Sequence, residues 1–313
     1  MKKKYGFSSA VFLLAACVLF VIFLAFPEET SSSARKGISV CLETLIPSLF
    51  PFFVLSSLTV SLGLSKWIGK LFSRFMSPLF RSSGKTASPF VLGLLSGFPV
   101  GASTAVGLYK RGEISRGDCA RALSFSNNPS VGFIVSVAGA GILRDIRLGW
   151  ILYLSVTVAS VLSGMVTCRV FHGDNRFLAK EEAVSEETSL LKKFLSAVRD
   201  GGTGVLNVSA FVIFFSVLCG VLGSVISLPY PLSAFISGFF EIATGASSVD
   251  ISLLSLYENT IIMSAILAWS GLSVHSQVLF CVADTDVSPF PYLFSKLVTT
   301  LLSALFTAIL LLF

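Results

Sequence analysis

Residues 88–109, SPFVLGLLSGFPVGASTAVGLY, most constrain how this chain can fold, because they are apolar but broken at the centre by Ser96-Gly97-Phe98-Pro99. About 20 apolar residues suffice to cross a bilayer. A proline and glycines at mid-depth remove a backbone donor and weaken the helix where lipid offers no replacement partner. Basic residues flank both ends: Arg81, Lys85, Lys110, Arg111, Arg116 and Arg121. Because cytoplasmic loops carry an excess of Lys and Arg, we predict a re-entrant hairpin with both ends in the cytoplasm.

The composition indicates a membrane protein, with 54% hydrophobic and only 13% charged residues. The net charge of +6 could indicate a nucleic-acid partner, but the basic residues lie in short loops between apolar runs, where membrane orientation explains them better. The six cysteines are scattered, with no CxxC pair and no nearby histidine. The sequence therefore predicts no nucleic acid, no metal and no cofactor.

The first half of the chain begins with a basic stretch and an apolar run over residues 7–26, which we predict to be an N-terminal anchor helix within residues 1–30. A short outer loop carrying Arg35 and Lys36 should follow. Residues 38–63 should return inward, kinked near Pro47 and Pro51. Residues 64–80 place basic and apolar residues on different faces, a pattern typical of an amphipathic helix at the membrane interface.

A second broken segment follows the hairpin. Residues 122–143 should cross outward but are interrupted at Asn127-Asn128-Pro129-Ser130, and residues 150–171 should return. The polar residues 172–199, with Glu181, Glu182, Glu186 and Glu187, divide the chain. Residues 190–198 predict a second interfacial helix, so we assign residues 172–204 to a cytoplasmic linker and that helix.

The second half repeats this order. We predict a spanning helix over 205–227, a hairpin over 232–256 broken at residues 241–247, a crossing over 259–281 interrupted at residues 269–273, and a closing helix over 292–313. The fold class is thus an all-α polytopic membrane protein with two repeats, over residues 38–171 and 205–313.

The distribution of basic residues tests this topology. With both hairpins re-entrant, 19 Lys and Arg lie inside, including Lys296, and 4 lie outside, and 19 + 4 gives the 23 of the chain. With both hairpins as full crossings, the residues divide into 11 and 12. The re-entrant topology obeys the positive-inside rule and makes the two repeats inverted.

Inverted repeats with paired broken segments are typical of secondary transporters whose substrate binds near the midplane. A hairpin exposes the positive end of one helix dipole and the carbonyls of another, so it can bind an ion without charged side chains. The sequence predicts such a site here.

Five strings, in order along the chain, carry a resemblance to a known family: IPSLFPFFVLSSL, LLSGFPVGA, LSFSNNPSVGFIV, FEIATG and AWSGLSVHSQV. The chain resembles the sporulation integral membrane protein YlbJ (SpoVV) family, whose members carry nucleoside-recognition GATE domains. The resemblance covers almost all of residues 38–313. It implies transport of dipicolinic acid across the outer forespore membrane and a distant fold kinship with concentrative nucleoside transporters.

Each candidate site residue has a structural alternative. Pro99 could be a packing kink, Asn127 and Asn128 could join helices, and Glu241 could be a neutral brace of its hairpin, although an ionisable group inside an apolar run is usually functional. His275 has no second ligand at metal spacing. The predicted substrate-binding residues are Ser96, Gly97, Phe98, Pro99, Ser103, Asn127, Asn128, Ser130, Glu241, Thr244, Ser247, Ser270, Ser273, His275 and Gln277.

Three function classes differ in the residues that they require. An enzyme would need a nucleophile motif, a metal cluster or a phosphate loop, and the sequence has no HExxH, GxSxG or GxxxxGK[ST] motif. We therefore predict a transporter of a small organic anion, dipicolinic acid by resemblance, in a multi-pass membrane protein that contacts lipid. A nucleoside or other polar metabolite, and a structural protein without transport, remain alternatives. Coupling to a proton or sodium ion, and assembly as a homo-oligomer, are left open.

Overall fold

The computed structural model describes residues 7–171, 174, 176–177 and 189–312, and this part of the chain contains helices and no strand. The basic start and most of the predicted linker, including its four glutamates, lie outside the described residues. The helices are α1 (Phe7–Ala25), α2 (Pro27–Val40), α3 (Ile46–Ser61), α4 (Leu64–Phe80), α5 (Ala87–Ser96), α6 (Val100–Lys110), α7 (Arg116–Ser126), α8 (Ile146–Val170), α9 (Leu190–Val225), α10 (Leu232–Phe240), α11 (Ile242–Ser247), α12 (Leu256–Trp269), α13 (Gly271–Val282) and α14 (Phe290–Leu310). Two π-helical turns, Cys41–Leu45 and Phe133–Ile142, join them.

Among the described residues, four segments are long and apolar enough to cross a membrane: Ile146–Val170, Leu190–Val225, Leu256–Val282 and Phe290–Leu310. A fifth candidate is the pair Leu13–Ala25 and Pro27–Leu45, whose axes are inclined by 100°. These findings confirm an all-helical membrane protein with several spans. The crossing of α1 as an anchor stays a prediction.

Both predicted hairpins are helical hairpins. In the first, α5 and α6 approach so closely that a Cβ added at Gly93 would lie 3.3 Å from the Cα of Gly101. The carbonyl oxygen of Ser126, at the end of α7, fits between these glycines, since a Cβ on either would lie about 2 Å from it. In the second hairpin, a Cβ added at Gly245 would lie 2.1 Å from the Cα of Gly238. Glycine is thus required where the backbones meet.

Both broken helices are also confirmed. Helix α7 ends at Ser126, residues 127–130 are not helical, and a helix resumes before the π-helical turn Phe133–Ile142. Helices α12 and α13 are separated at Ser270, which has a left-handed backbone with φ of 76°.

The predicted outer loop around Arg35 and Lys36 is wrong, because these residues lie within α2. The polar sequence of α2 is helical since its small residues pack on α9: a Cβ added at Gly37 would lie 3.1 Å from Ile213, and one at Gly220 would meet Ser33. At the other end, Ser57 on α3 donates to Asp200 on α9 over 3.1 Å. Helices α2 and α3 therefore lie one after the other along α9 and run antiparallel to it.

The separate interfacial helix predicted over residues 190–198 is also not observed, since α9 runs without a break from Leu190 to Val225. Its central glycines serve helix packing: a Cβ at Gly201 would lie 2.7 Å from Val54, and one at Gly204 would lie 2.9 Å from the ring of Phe53. Glycine costs helix stability locally, and here the close contact with α3 compensates. Helix α4 does form as predicted, with Trp67, Leu71 and Phe75 exposed on one face. Its place at the membrane interface stays a prediction.

Helix α14 is joined to its neighbours by buried hydroxyl groups. Ser295 on α14 donates to the carbonyl of Ser124 over 2.6 Å and contacts Ser163 on α8 at 2.8 Å. Further along, Ser264 on α12 lies 2.8 Å from Ser303 and accepts a hydrogen bond from Thr307. These hydrogen bonds fix α7, α8 and α12 around one helix, as polar residues do between helices in a membrane.

Candidate functional site

The break of each hairpin contacts the break of the broken helix in the same half. In the first half, a Cβ added at Gly97 would lie 2.7 Å from the backbone nitrogen of Ser130. In the second half, a Cβ added at Gly271 would lie 3.0 Å from the backbone nitrogen of Ile242, next to Glu241. Both glycines have positive φ, 82° and 81°. The four interruptions of the helical backbone therefore form two pairs.

A cavity of about 270 Å³, which we call the inner cavity, lies between the two pairs and is lined mostly by apolar groups. Residues from both halves line it, together with α3 and α9. Small-molecule sites are commonly apolar, with few polar groups that fix orientation. Six of the predicted site residues line this cavity: Ser96, Gly97, Phe98, Ser130, Glu241 and Gln277.

Three of these residues carry a buried polar atom with no hydrogen-bond partner among the described residues. The atoms are Oγ of Ser96, Oε1 of Glu241 and Oε1 of Gln277. A buried polar group without a partner is costly, by about 1–3 kcal/mol. The three come from α5, the second hairpin and α13 and converge on one cavity, which makes the inner cavity the candidate site.

The carboxyl group of Glu241 is held by its own hairpin. Its Oε2 accepts a hydrogen bond from the backbone N–H of Thr244 over 2.6 Å, which caps α11. Only 1% of the residue is exposed. One oxygen thus serves the structure, and the other remains available at the cavity wall. Both predicted roles of Glu241, brace and site residue, are compatible with this geometry.

A second cavity of about 480 Å³, which we call the outer cavity, adjoins the first, and Gln277 and Val208 line both. The predicted residues Pro99 and Ser103 line the outer cavity and not the inner one. Its other polar lining residues are Lys110, Arg199, Asp200, Thr203, Asn207 and Asp284. Gln277 and Val208 therefore form the wall between an apolar chamber and a charged one.

The two asparagines do not line either cavity. Asn127 donates to the carbonyl of Leu123 over 2.8 Å and accepts from the backbone N–H of Ala102 over 3.0 Å. Asn128 donates to the carbonyl of Phe125 over 3.2 Å. Both are buried. The structure thus places Asn127 as a bridge from the first broken helix to α6.

The remaining predicted residues line neither the inner nor the outer cavity. His275 contacts the hydroxyl of Tyr292 at 2.8 Å through Nδ1, and Ser273 accepts from Gln277 over 3.5 Å. Thr244 is the backbone partner of Glu241, and Ser247 is exposed. Ser270 is buried and accepts a hydrogen bond from Lys296.

Two features of the site were missed by the sequence reasoning. The π-helical turns supply Thr44, Leu45, Phe133, Ser136 and Val137 to the cavity wall; such turns often occur at functional sites, but no residue pattern marked them. The topology predicted from the sequence places Lys296 among the cytoplasmic residues, whereas it lies in α14 with 4% of its surface exposed. The inside count is therefore 18, not 19, and a lysine inside an apolar run was the available signal.

The fold defines a class, a polytopic helical membrane protein, and the described part of the chain encloses an internal cavity. Comparison with known proteins agrees. Residues 42–144 match the Gate family, described as nucleoside recognition. Over 335 aligned positions the chain is 28% identical to the sporulation integral membrane protein YlbJ of Bacillus subtilis (strain 168), covering 95% of this chain and 82% of that protein. The resemblance predicted from the sequence is thereby confirmed. No solved structure matches the chain.

Proposed function

We propose that this protein is a membrane transporter of a small organic anion, dipicolinic acid, and that it acts in the outer forespore membrane during sporulation. The similarity to YlbJ supports a role in a membrane during sporulation. The choice of dipicolinic acid as substrate rests on the family resemblance described under Sequence analysis. Transport changes no covalent bond in the substrate, so the proposal requires no catalytic residue.

The observation that carries the proposal is the convergence of unpartnered polar atoms from both halves on the inner cavity. Dipicolinate is a planar aromatic ring with two carboxylates. The ring fits between apolar walls that include Phe98 and Phe133. The hydroxyl of Ser96, which has no other partner among the described residues, can donate to one carboxylate. The Nε2 of Gln277 carries a second N–H besides the one directed at Ser273, and this N–H can donate to the other carboxylate. Since an ionised Glu241 would repel them, Glu241 is protonated or neutralised by a cation when the anion is bound.

The inverted arrangement of the two repeats belongs to the same proposal. The first hairpin ends at Lys110, which lines the outer cavity with Arg199 and Asp200 from the start of α9. The second hairpin contacts α9 near its other end, where the thiol of Cys219 lies 3.7 Å from the carbonyl of Ser237. Hairpins that open toward opposite ends of α9 support alternating access from the two sides of the membrane.

A nucleoside is the second candidate substrate, because the Gate match carries the description nucleoside recognition. A nucleoside is neutral, and an apolar cavity with a few polar groups could also hold its base and ribose. The two candidate substrates differ in charge. The cavity must compensate the negative charge of dipicolinate, whereas a nucleoside carries no charge to compensate.

The experiment that tests the proposal measures flux of labelled dipicolinate and of a labelled nucleoside in proteoliposomes containing the full chain. We expect dipicolinate flux in the wild type. Ser96→Leu should reduce it by filling the inner cavity, while the matched control Ser247→Leu, at an exposed position outside the cavity, should not. Nucleoside flux without dipicolinate flux would make the nucleoside the substrate in place of dipicolinate. The absence of flux for both compounds would overturn the transport proposal.

A further inference from the structure

The buried amino group of Lys296 lies behind Phe98, a residue of the inner cavity wall. The Nζ of Lys296 donates to Ser270 Oγ over 3.0 Å and to the carbonyl of Ala268 over 3.3 Å. It also lies 6.0 Å from the centre of the Phe98 ring. Phe98 itself lines the cavity. Lys296 thus connects the tip of the first hairpin with the break in the second broken helix.

This ammonium has no carboxylate partner in the part of the chain that the structure describes, where no ion pair within 4.0 Å includes Lys296. Glu241 lies close to the residues that bind Lys296. A Cβ added at Gly271, which follows Ser270, would lie 3.1 Å from the Cα of Glu241. The Glu241 carboxyl, however, is turned to the backbone of Thr244. A buried charge that lacks a counter-charge is costly, and an ionisable residue inside a membrane marks an ion or substrate pathway by default.

A simple brace explains only part of this arrangement. The carbonyl of Ala268 belongs to the last turn of α12, where a cation is favourable because the helix dipole is negative. A hydroxyl or amide would satisfy the same carbonyl without burying a charge. The contact of the ammonium with Phe98, which belongs to the other half of the molecule, has no role in bracing α12.

From these contacts we infer that Lys296 is the counter-charge of a carboxylate in the inner cavity, and that it selects anionic over neutral substrates. The inference rests on the proposed function, since it assumes that the cavity binds the transported molecule. Phe98 lies between Lys296 and the inner cavity in the substrate-free protein. When the Phe98 ring rotates away from the cavity, the Lys296 ammonium can contact the substrate carboxylate. Lys296 is then a specificity-determining residue, and its hydrogen bonds to Ser270 and Ala268 hold it in the substrate-free protein.

The test compares dipicolinate with its uncharged diamide, which has the same ring and shape, using the shift in unfolding temperature of the purified full chain. In the wild type, dipicolinate should bind more tightly than the diamide. Lys296→Met should weaken dipicolinate binding roughly ten-fold or more, as expected for loss of a charge-assisted hydrogen bond, and should leave the diamide response unchanged. Lys296→Arg should keep the preference for the anion. Lys192→Met, which removes an exposed lysine from the first turn of α9, is the matched control.

The outcomes separate the inference from the proposed function. Unchanged dipicolinate binding by Lys296→Met overturns the inference and leaves the transporter intact. If the wild type responds to benzoate or acetate but not to dipicolinate, and the response needs Lys296, the inference holds and the substrate is wrong. A wild type that responds to no carboxylate overturns both. If Lys296→Met does not fold, Ser270→Ala is the second variant, because it removes a hydrogen bond of Lys296 but keeps the charge. A full loss of anion preference in Ser270→Ala would show that the hydrogen bond matters and the charge does not, and that Lys296 has only a structural role.

Discussion

The side-chain oxygen of Asn127 accepts the backbone N–H of Ala102 in the first turn of α6. The break in one helix therefore caps the start of another, in a place where no water is needed to satisfy the donor. Asn127 lies 2% exposed. The second arm of the first hairpin thus depends on a residue that is 25 positions away in the chain.

Replacing Asn127 with Leu should destabilise the protein by roughly 1–3 kcal/mol, because the N–H of Ala102 would be left buried and unsatisfied. Thermal unfolding in detergent measures this loss. Asn207→Leu is the control, since Asn207 is half-buried on α9 and lines the outer cavity. Equal unfolding temperatures for the two variants would show that Asn127 does not stabilise the protein by capping α6.

Replacing Glu241 with Gln should preserve the fold but abolish the dependence of flux on pH or sodium. The amide oxygen can still accept the N–H of Thr244, while the titratable charge is lost. Flux measured across imposed proton and sodium gradients provides the readout. A variant that keeps the ion dependence of the wild type would show that Glu241 only braces its hairpin.

Stability at acidic pH should depend on Asp286, in the loop before α14. The hydroxyl of Tyr109 donates to its carboxylate over 2.6 Å, and Arg116 lies 3.5 Å away. The hydrogen bond from Tyr109, with a smaller contribution from Arg116, lowers the pKa of Asp286 below the ordinary value of 3.8. The stabilisation is therefore complete above that value and is lost as the pH falls through the folded-state pKa.

Unfolding temperatures measured down to pH values below 3.8 check this expectation. Asp286→Asn should flatten the acid limb of the profile, and Tyr109→Phe, which removes only the hydrogen bond, should flatten it in part. Profiles that match the wild type in both variants would contradict it.

Enlarging Val208 should block passage between the two cavities, because this side chain and Gln277 form their common wall. Val208→Phe should strongly reduce flux, with a stability cost of about 1–3 kcal/mol from overpacking. Leu206→Phe adds a ring on the exposed face of α9, where Leu206 is 67% exposed, and should transport normally. Normal flux in Val208→Phe would argue for another route to the inner cavity.

The topology predicts that a cysteine at Arg111, in the exposed turn after α6, reacts with a membrane-impermeant reagent only from the cytoplasm. A cysteine at Ile146, which is 56% exposed at the start of α8, should react only from the opposite side. Labelling of both from the same side would exclude the predicted orientation of the first repeat.

The interruptions of the helices could be predicted from sequence because their cause is local. Pro99 and Pro129 remove backbone donors in apolar segments, and both breaks occur where the residues place them. Four of the cavity residues, Ser96, Gly97, Phe98 and Ser130, are predicted in this way, since side chains at a break have freed backbone beside them.

The errors arose where a distant contact decides the structure. The polar sequence of α2 predicts a loop, but it is helical because it packs against α9, with Gly37 and Gly220 at the contacts. The end of the predicted linker is also helical, because Gly201 and Gly204 of α9 pack against α3. The burial of Lys296 likewise depends on Ser270, which is 26 residues away. Tertiary contacts of this kind override local propensity.

The continuous course of α9 has a consequence for how a solute first meets the protein. Its 36 residues extend about 54 Å, which is about 24 Å more than the hydrocarbon core of a bilayer. The first turns carry Lys192, Lys193, Arg199 and Asp200, so we expect the excess length to stand in the aqueous phase with the mouth of the outer cavity. Charges there are screened by salt within about 10 Å. Ionic strength should therefore change how often a charged solute arrives, and leave its retention in the apolar inner cavity unchanged.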